Sequence, residues 1–370
     1  MAEGGVRTPY IRANLRDMAP WNPTAALPSE NTGRVHRMDL NECPYPPSPV
    51  VVAAMRDFAD KVNRYPDGGL PRLTSRITER TGVPASRIAW GTGSTELLSN
   101  AVRISVAPGE RLVAPTPLWR RFEGVFRIVD ADVRHVANRP DGGLDVAALI
   151  EAVDETTKML VCVTPNNPTG MALTAEEIAD IVERTPDHVL LFIDEAYHEF
   201  AVHAGFSDAL SIIKRRKGPW LITRTFSKAY ALAGARLGYV LCSEDMIANA
   251  LKGVTSTFNV SAFCEVAALA ALDDPDYTTF ILDKNSEERT RLMEGMRALQ
   301  LAPLPSVTNF VSVRLPMDGS KMAAAMRERG IRIATWGEPG YEDYIRVSIG
   351  LPEDTDAFLA ALGEILGGVS

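Results

Sequence analysis

The chain has 370 residues, 46% of them hydrophobic and 23% charged, with a formal net charge of −8. That length exceeds what one hydrophobic core usually organises, so two closely packed domains are expected. The negative balance argues against nucleic acid or a membrane surface as the main partner.

After an N-terminal arm, short apolar runs alternate with helical patterns from about Val83 to Ser243. Strands are expected at residues 87–90, 111–114, 159–163, 189–193, 220–223 and 238–242. Amphipathic helices fall between several of them, at 95–106, 145–153 and 174–183. Thr174 with Glu177 three residues later reads as a capping box opening the last of these. Such alternation is the signature of an α/β layer with a mostly parallel sheet, and LVCV and VLLFI read as strands buried on both faces. A helical stretch at 261–272 ends at a break expected around Pro275. Beyond it come a long charged helix (283–299), strands at 309–314, 331–334 and 344–349, and two further helices, which make a smaller α+β unit. The expected division is an arm over 1–40, a large domain over 41–273 and a small domain over 274–370.

No run reaches the ~18 apolar residues of a membrane span, and the N-terminus lacks the apolar core of a signal peptide. Cys43, Cys162, Cys242 and Cys264 are scattered without metal-ligand spacing, and Cys162 and Cys242 lie inside apolar runs. The expectation is a cytoplasmic protein without a metal site.

Four segments carry chemistry, each at the expected end of a strand, where open α/β sheets place their ligands. In T-R-T-F-S-K (223–228) an isolated Ser-Lys pair would ordinarily be solvated surface. Here Thr225 and Ser227 are hydroxyls close to Lys228, and Arg236 follows in AGARLGY. Hydroxyls with a guanidinium suit a phosphate dianion, and a lysine beside that site can form the Schiff base that pyridoxal 5'-phosphate chemistry needs. In F-I-D-E-A-Y (192–197), Asp194 follows a buried strand, a costly place for an unpaired charge. It either caps a helix or faces a pyridinium nitrogen, with Tyr197 in reach of a phenolic oxygen. P-N-N-P-T-G (165–170) is a turn by composition, in which Asn167 can also hydrogen-bond a phenolate. G-T-G-S-T-E-L-L (91–98) opens a helix whose free N–H groups favour an anion, a common arrangement by itself.

Taken together and in this order, the segments resemble those of the fold type I pyridoxal-phosphate enzymes, the class I/II aminotransferases. Within them the chain is most similar to the histidinol-phosphate aminotransferase subgroup, from about residue 40 to 350, through LNECPYPPSP, NRYPDGG, GTGSTELL, TPNNPTG, FIDEAYHEF, TRTFSKAYALAGARLGY, SVTNFVSV and YIRVSIG. The resemblance implies Lys228 as Schiff-base residue and proton shuttle, Asp194 at the pyridine nitrogen, and Tyr197 and Asn167 at the phenolic oxygen. It implies Ser94, Thr95, Thr225, Ser227 and Arg236 around the phosphate, and Trp119 stacked on the ring, with Phe122 as the other candidate. Tyr65 resembles a tyrosine that reaches the cofactor of the neighbouring subunit, which implies a homodimer with shared sites. Arg346 resembles the arginine that forks onto a substrate carboxylate. The implied reactants are a small-molecule amino donor and a 2-oxo acid acceptor.

Two departures fall on the substrate side. Ala334 stands where the subgroup usually has an arginine for the substrate phosphate, and Cys43 and Pro46 replace an asparagine and a glycine. These weaken histidinol phosphate as the substrate, and the candidates are an aromatic or other non-phosphorylated amino acid, histidinol phosphate, or a biosynthetic intermediate of specialised metabolism. Decarboxylation or oxidation on the same scaffold remains the alternative reaction. A regulatory protein is disfavoured, because no helix-turn-helix pattern or basic cluster precedes the fold.

Overall fold

The computed structural model describes residues 11–18 and 34–368. Tyr10, Trp21 and most of the arm lie outside the described residues. Within them, the strands are β1 (His36–Met38), β2 (Ile88–Thr92), β3 (Arg111–Thr116), β4 (Asp132–Ala137), β5 (Thr157–Val163), β6 (Leu190–Asp194), β7 (Trp220–Thr225), β8 (Leu237–Cys242), β9 (Phe310–Arg314), β10 (Ile331–Thr335) and β11 (Tyr344–Ser348).

Seven strands form one sheet in the order β2-β8-β7-β6-β5-β3-β4. Only β8 runs against its neighbours. Every residue of β6, β7 and β8 is buried, because helices cover both faces. Two apolar clusters follow. One holds Leu160, Ile193 and Ile222, the other Val161, Phe192 and Leu221, alternating along the strands as the pleat requires. Four strands form the second sheet, β1-β10-β11-β9, packed on helices Pro275–Ala298, Gly319–Glu328 and Pro352–Gly367 through a third cluster. β1 therefore joins the tail end of the chain, pairing in parallel with β10 through His36 and Ile331.

The capping box at Thr174 forms as its spacing predicts, with Glu177 N–H donating to Thr174 Oγ1 at 3.2 Å and Thr174 N–H to Glu177 Oε2 at 2.9 Å. Several elements differ from the sequence expectation. β4 was not expected because it is an edge strand whose residues alternate exposed and half-buried, so it carries no apolar run. Helix Pro49–Phe58 starts on the last residue of a proline-rich stretch, 44–49, with Pro49 in its first turn and the Ser48 hydroxyl accepting from Val51 N–H. The charged helix begins at Pro275, eight residues earlier than 283, because Asp274 caps it and the proline occupies its first turn instead of breaking it.

Candidate active site

The carboxyl ends of β2, β5, β6 and β7 and the amino end of the reversed β8 meet on one edge of the large sheet, facing the small one. Between them lies a cavity of about 490 Å³. Ser94, Thr95, Trp119, Asn167, Asp194, Tyr197, Thr225, Ser227, Lys228, Arg236 and Arg346 all line it. Strand order in the large sheet brings the residues from 94 to 236 together, and β11 of the small sheet adds Arg346.

Asp194 ends β6 and is 4% exposed. Its Oδ1 accepts from the hydroxyl of Thr223, its Cα partner on β7, at 2.8 Å. Burial pushes this carboxyl up to about 6, against the lowering effect of the Thr223 bond. No ion pair to a described cation is formed, so it suits a cationic ring nitrogen. Tyr197 is 3% exposed, its hydroxyl accepts from Asn41 Nδ2 at 2.8 Å, and burial raises its pKa to about 12.

Lys228 donates from Nζ to the carbonyls of Leu40 at 3.2 Å and Asn41 at 2.9 Å. Burial, and then the charge of Arg346, lower its pKa to about 7. Carbonyls can hold the N–H bonds of a neutral amine and leave its lone pair free. Asn41 had no role in the sequence reading. Its φ of +53° is a conformation that asparagine tolerates better than most residues, and its place in LNECPYPPSP was the one signal in the sequence.

The opposite end of the cavity is rich in donors. Thr225 Oγ1 donates to Ser227 Oγ at 3.0 Å, and Arg236 Nη1 donates to Ser227 Oγ at 3.3 Å. Gly93, at φ +75°, caps helix Ser94–Ser105, and a Cβ there would lie 2.4 Å from Arg236 Nη2. The glycine is needed for the guanidinium to sit over the helix terminus. Two hydroxyls, a helix N-terminus and a guanidinium are the donor set of a phosphate dianion. With the buried carboxylate of Asp194, which has no cation beside it among the described residues, and the low-pKa Lys228, the residues present fit pyridoxal phosphate at its phosphate, its ring nitrogen and its aldehyde.

Trp119 is half-buried and faces the cavity, whereas Phe122 is wholly buried in the core with Phe126 and Phe192. Of the two candidate aromatics, only Trp119 reaches the site. Tyr65 does not reach it within its own chain: it is 79% exposed and stacks on Phe258 with centroids 4.4 Å apart. Arg346 donates from Nη1 to Asn167 Oδ1 at 2.6 Å and from Nη2 to the Asp39 carbonyl at 2.7 Å, and its Nε is buried without a partner. Arg332 does not substitute for a cation at 334. It is held by Asp39, Nη2 to Oδ2 at 2.9 Å, and does not line the cavity, while Ala334 does. Trp336 and Glu338 also line the cavity and were not singled out in the sequence, because neither lies in a recognisable motif; Thr223 opens T-R-T-F-S-K but was given no role there, and the structure makes it the partner of Asp194.

The sequence model of the family described as "Aminotransferase class I and II" matches residues 34–362. Histidinol-phosphate aminotransferase 2 of Carboxydothermus hydrogenoformans is 33% identical over 95% of this chain and 97% of its own length. That of Pseudomonas aeruginosa is 34% identical over 99% and 98%. Among solved structures, histidinol-phosphate aminotransferase from Sinorhizobium meliloti in complex with pyridoxal-5'-phosphate superimposes with a TM-score of 0.84 at 31% identity, covering 90% of this chain and 91% of that one. A Thermus thermophilus aspartate aminotransferase shares the fold at a TM-score of 0.81 and 19% identity, covering 96% and 99%. The chain belongs to the class I and II aminotransferases, as a pyridoxal-phosphate-dependent enzyme of fold type I similar to the histidinol-phosphate aminotransferases.

Proposed function

We propose that the enzyme moves an amino group from a non-phosphorylated amino acid or amine to a 2-oxo acid, with Lys228 as both the covalent anchor of the cofactor and the proton carrier. The observation that carries this reading is the position of Lys228 Nζ, in one cavity with Asp194, Tyr197 and the guanidinium of Arg346. Pyridoxal phosphate supplies an aldehyde carbon for an amino group to join and a ring that withdraws electrons from the substrate's Cα.

The chain's own residues do the rest. Asp194 keeps a ring nitrogen protonated, and Tyr197 with Asn167 orients the ring's phenolic oxygen. Ser94, Thr95, Thr225, Ser227 and Arg236 hold the phosphate, and Trp119 stacks on the ring. Arg346 forks onto the substrate carboxylate, a geometry that its planar guanidinium allows. Lys228 Nζ, its pKa lowered to about 7 and its lone pair therefore available above that pH, would remove the proton from the substrate's Cα and return it to the cofactor's aldehyde carbon, across the amino nitrogen. Ala334 in the cavity wall brings no cation to a substrate phosphate, which favours donors without one. Tyr65, exposed on its own chain, reaches the site of a second copy, so the functional unit is a homodimer. The four cysteines are free, in keeping with a cytoplasmic setting, and no described helix is long and apolar enough to cross a membrane.

Lys228→Ala tests the central claim. Borohydride treatment followed by peptide mass spectrometry should find the cofactor adduct on Lys228 in the wild type and none in the variant, with turnover down at least about 100-fold. An adduct on another lysine, or near-normal turnover, would overturn it. A decarboxylase would instead release carbon dioxide in a single turnover with the amino donor alone.

A further inference from the structure

Taking the cavity as the aminotransferase site proposed above, its wall on the small sheet also says something about the far end of the amino donor. Ala334 is the Cα partner of Arg346 across the antiparallel pair β10–β11, and both residues line the cavity. Directly opposed residues project on the same face of a sheet, so the methyl group of Ala334 leaves open space beside the guanidinium. Past the end of β10, Trp336 is 3% exposed, stacks on Tyr344 with centroids 4.4 Å apart, and donates from Nε1 to Ser312 Oγ at 3.2 Å. Tyr341 closes the cluster, 5.3 Å from Trp336 and 5.6 Å from Tyr344 between ring centroids. Three packed rings pin the loop from β10 to β11.

That loop presents Glu338 to the cavity. Its Oε2 is buried and accepts no hydrogen bond from any described residue. Burial pushes this carboxyl up to about 7, against the lowering effect of its own backbone N–H and of the Arg120 and Arg346 charges, with Glu123 adding to the rise; the unpartnered oxygen is Oε2. A buried carboxylate oxygen without a donor is a standing penalty, and an N–H group supplied by a ligand removes it. Arg120 also lines the cavity but is exposed, so water screens its charge, and it forms no ion pair with Glu338 among the described residues.

We propose that Glu338 is a specificity-determining residue: it accepts a hydrogen bond from a nitrogen at the tip of the donor's side chain, so the enzyme selects nitrogen-tipped amino donors and disfavours those ending in phosphate or carboxylate. The packing of Trp336, Tyr341 and Tyr344 fixes the loop that carries Glu338. An anionic tip would bring like charge to an oxygen, Oε2, that has no donor among the described residues. The rival anchor is Arg327, a half-buried cation on helix Gly319–Glu328 that lines another part of the same cavity.

The test uses the full-length holoenzyme with pyruvate as acceptor, a 2-oxo acid without an anionic tip. L-Lysine, L-norleucine and L-2-aminoadipate share one linear skeleton and differ at the tip. Expected is a kcat/KM for lysine about tenfold to a hundredfold above that for norleucine, the usual range for a charge-assisted contact in a closed site. Glu338→Gln should shrink the lysine-to-norleucine ratio about tenfold, mainly through KM. Glu338→Lys should turn the order in favour of 2-aminoadipate. A wild type that prefers 2-aminoadipate hands the role to Arg327 and overturns the proposal, as does a ratio that neither variant moves. Turnover without tip preference sinks this proposal alone, whereas turnover of no amino donor of any kind sinks the aminotransferase reading along with it.

Discussion

Nη1 of Arg346 donates to Oδ1 of Asn167 at 2.6 Å, tying β11 of the small sheet to the turn that follows β5 in the large one. The same guanidinium donates to the Asp39 carbonyl at 2.7 Å and keeps its Nε buried without a partner. It is held from two sides, with one nitrogen unused. Arg346→Lys preserves the charge but loses the planar fork. The expected result is a rise in KM for both donor and 2-oxo acid, with kcat/KM down about tenfold to a hundredfold, since a hydrogen bond to a charged group contributes about 1.5–3 kcal/mol. Steady-state kinetics check this, and an unchanged KM for the 2-oxo acid would show that the carboxylate binds elsewhere.

The lowered pKa of Lys228 gives the rate a pH dependence of definite sign. Below about 7 its Nζ carries a proton and cannot accept another, and above that value the lone pair is available. Single-turnover rates should therefore rise through a limb near pH 7 and level off above it. Burial is the larger cause of the shift and the Arg346 charge the next, so Arg346→Gln should move the limb to higher pH. A limb that stays in place in that variant would assign it to another group.

Gly93 separates the phosphate cradle from general folding. Alanine at φ +75° strains the backbone and sets a methyl group 2.4 Å from Arg236 Nη2. Gly93→Ala should weaken cofactor retention about tenfold or more, measured by fluorescence titration of the apoenzyme with pyridoxal phosphate, because it displaces a charge-assisted contact. Gly234→Ala is the control, with nothing within 4 Å of its added Cβ. Equal affinities for the two variants would mean that Arg236 does not hold the phosphate.

Tyr65 tests the assembly. An aromatic ring 79% exposed and stacked only on Phe258, itself 48% exposed, is a surface waiting for cover. Sedimentation should give a dimer mass for the wild type. Tyr65→Phe should keep that mass while weakening cofactor retention several-fold, in line with the loss of one hydrogen bond. A monomer with full activity would remove the shared-site reading.

The site was legible in the sequence where chemistry and local structure coincide. Lys228, Asp194 and Arg236 stand in short segments at strand ends, where a charge next to a buried strand is costly unless a ligand meets it, and all three line one cavity. Strands such as β6 were legible because burial on both faces leaves an unbroken apolar run. β4 and helix Pro49–Phe58 were not, since an edge strand alternates with solvent and a proline-rich entry reads as a turn.

What the sequence by itself determined is the cofactor chemistry and the family, because residues a few positions apart within one segment keep their spacing whatever the rest of the chain does. What only the tertiary structure decided are contacts between distant segments. The carbonyls of Leu40 and Asn41 meet Lys228 across more than 180 positions, Asn41 meets Tyr197, and Phe122 turns into the core while Trp119 turns toward the cavity. Glu338 belongs to the same group. Its missing hydrogen-bond donor comes from how the loop between β10 and β11 closes over the cavity, and the amino-acid order does not reveal an unsatisfied group before the chain has folded around it.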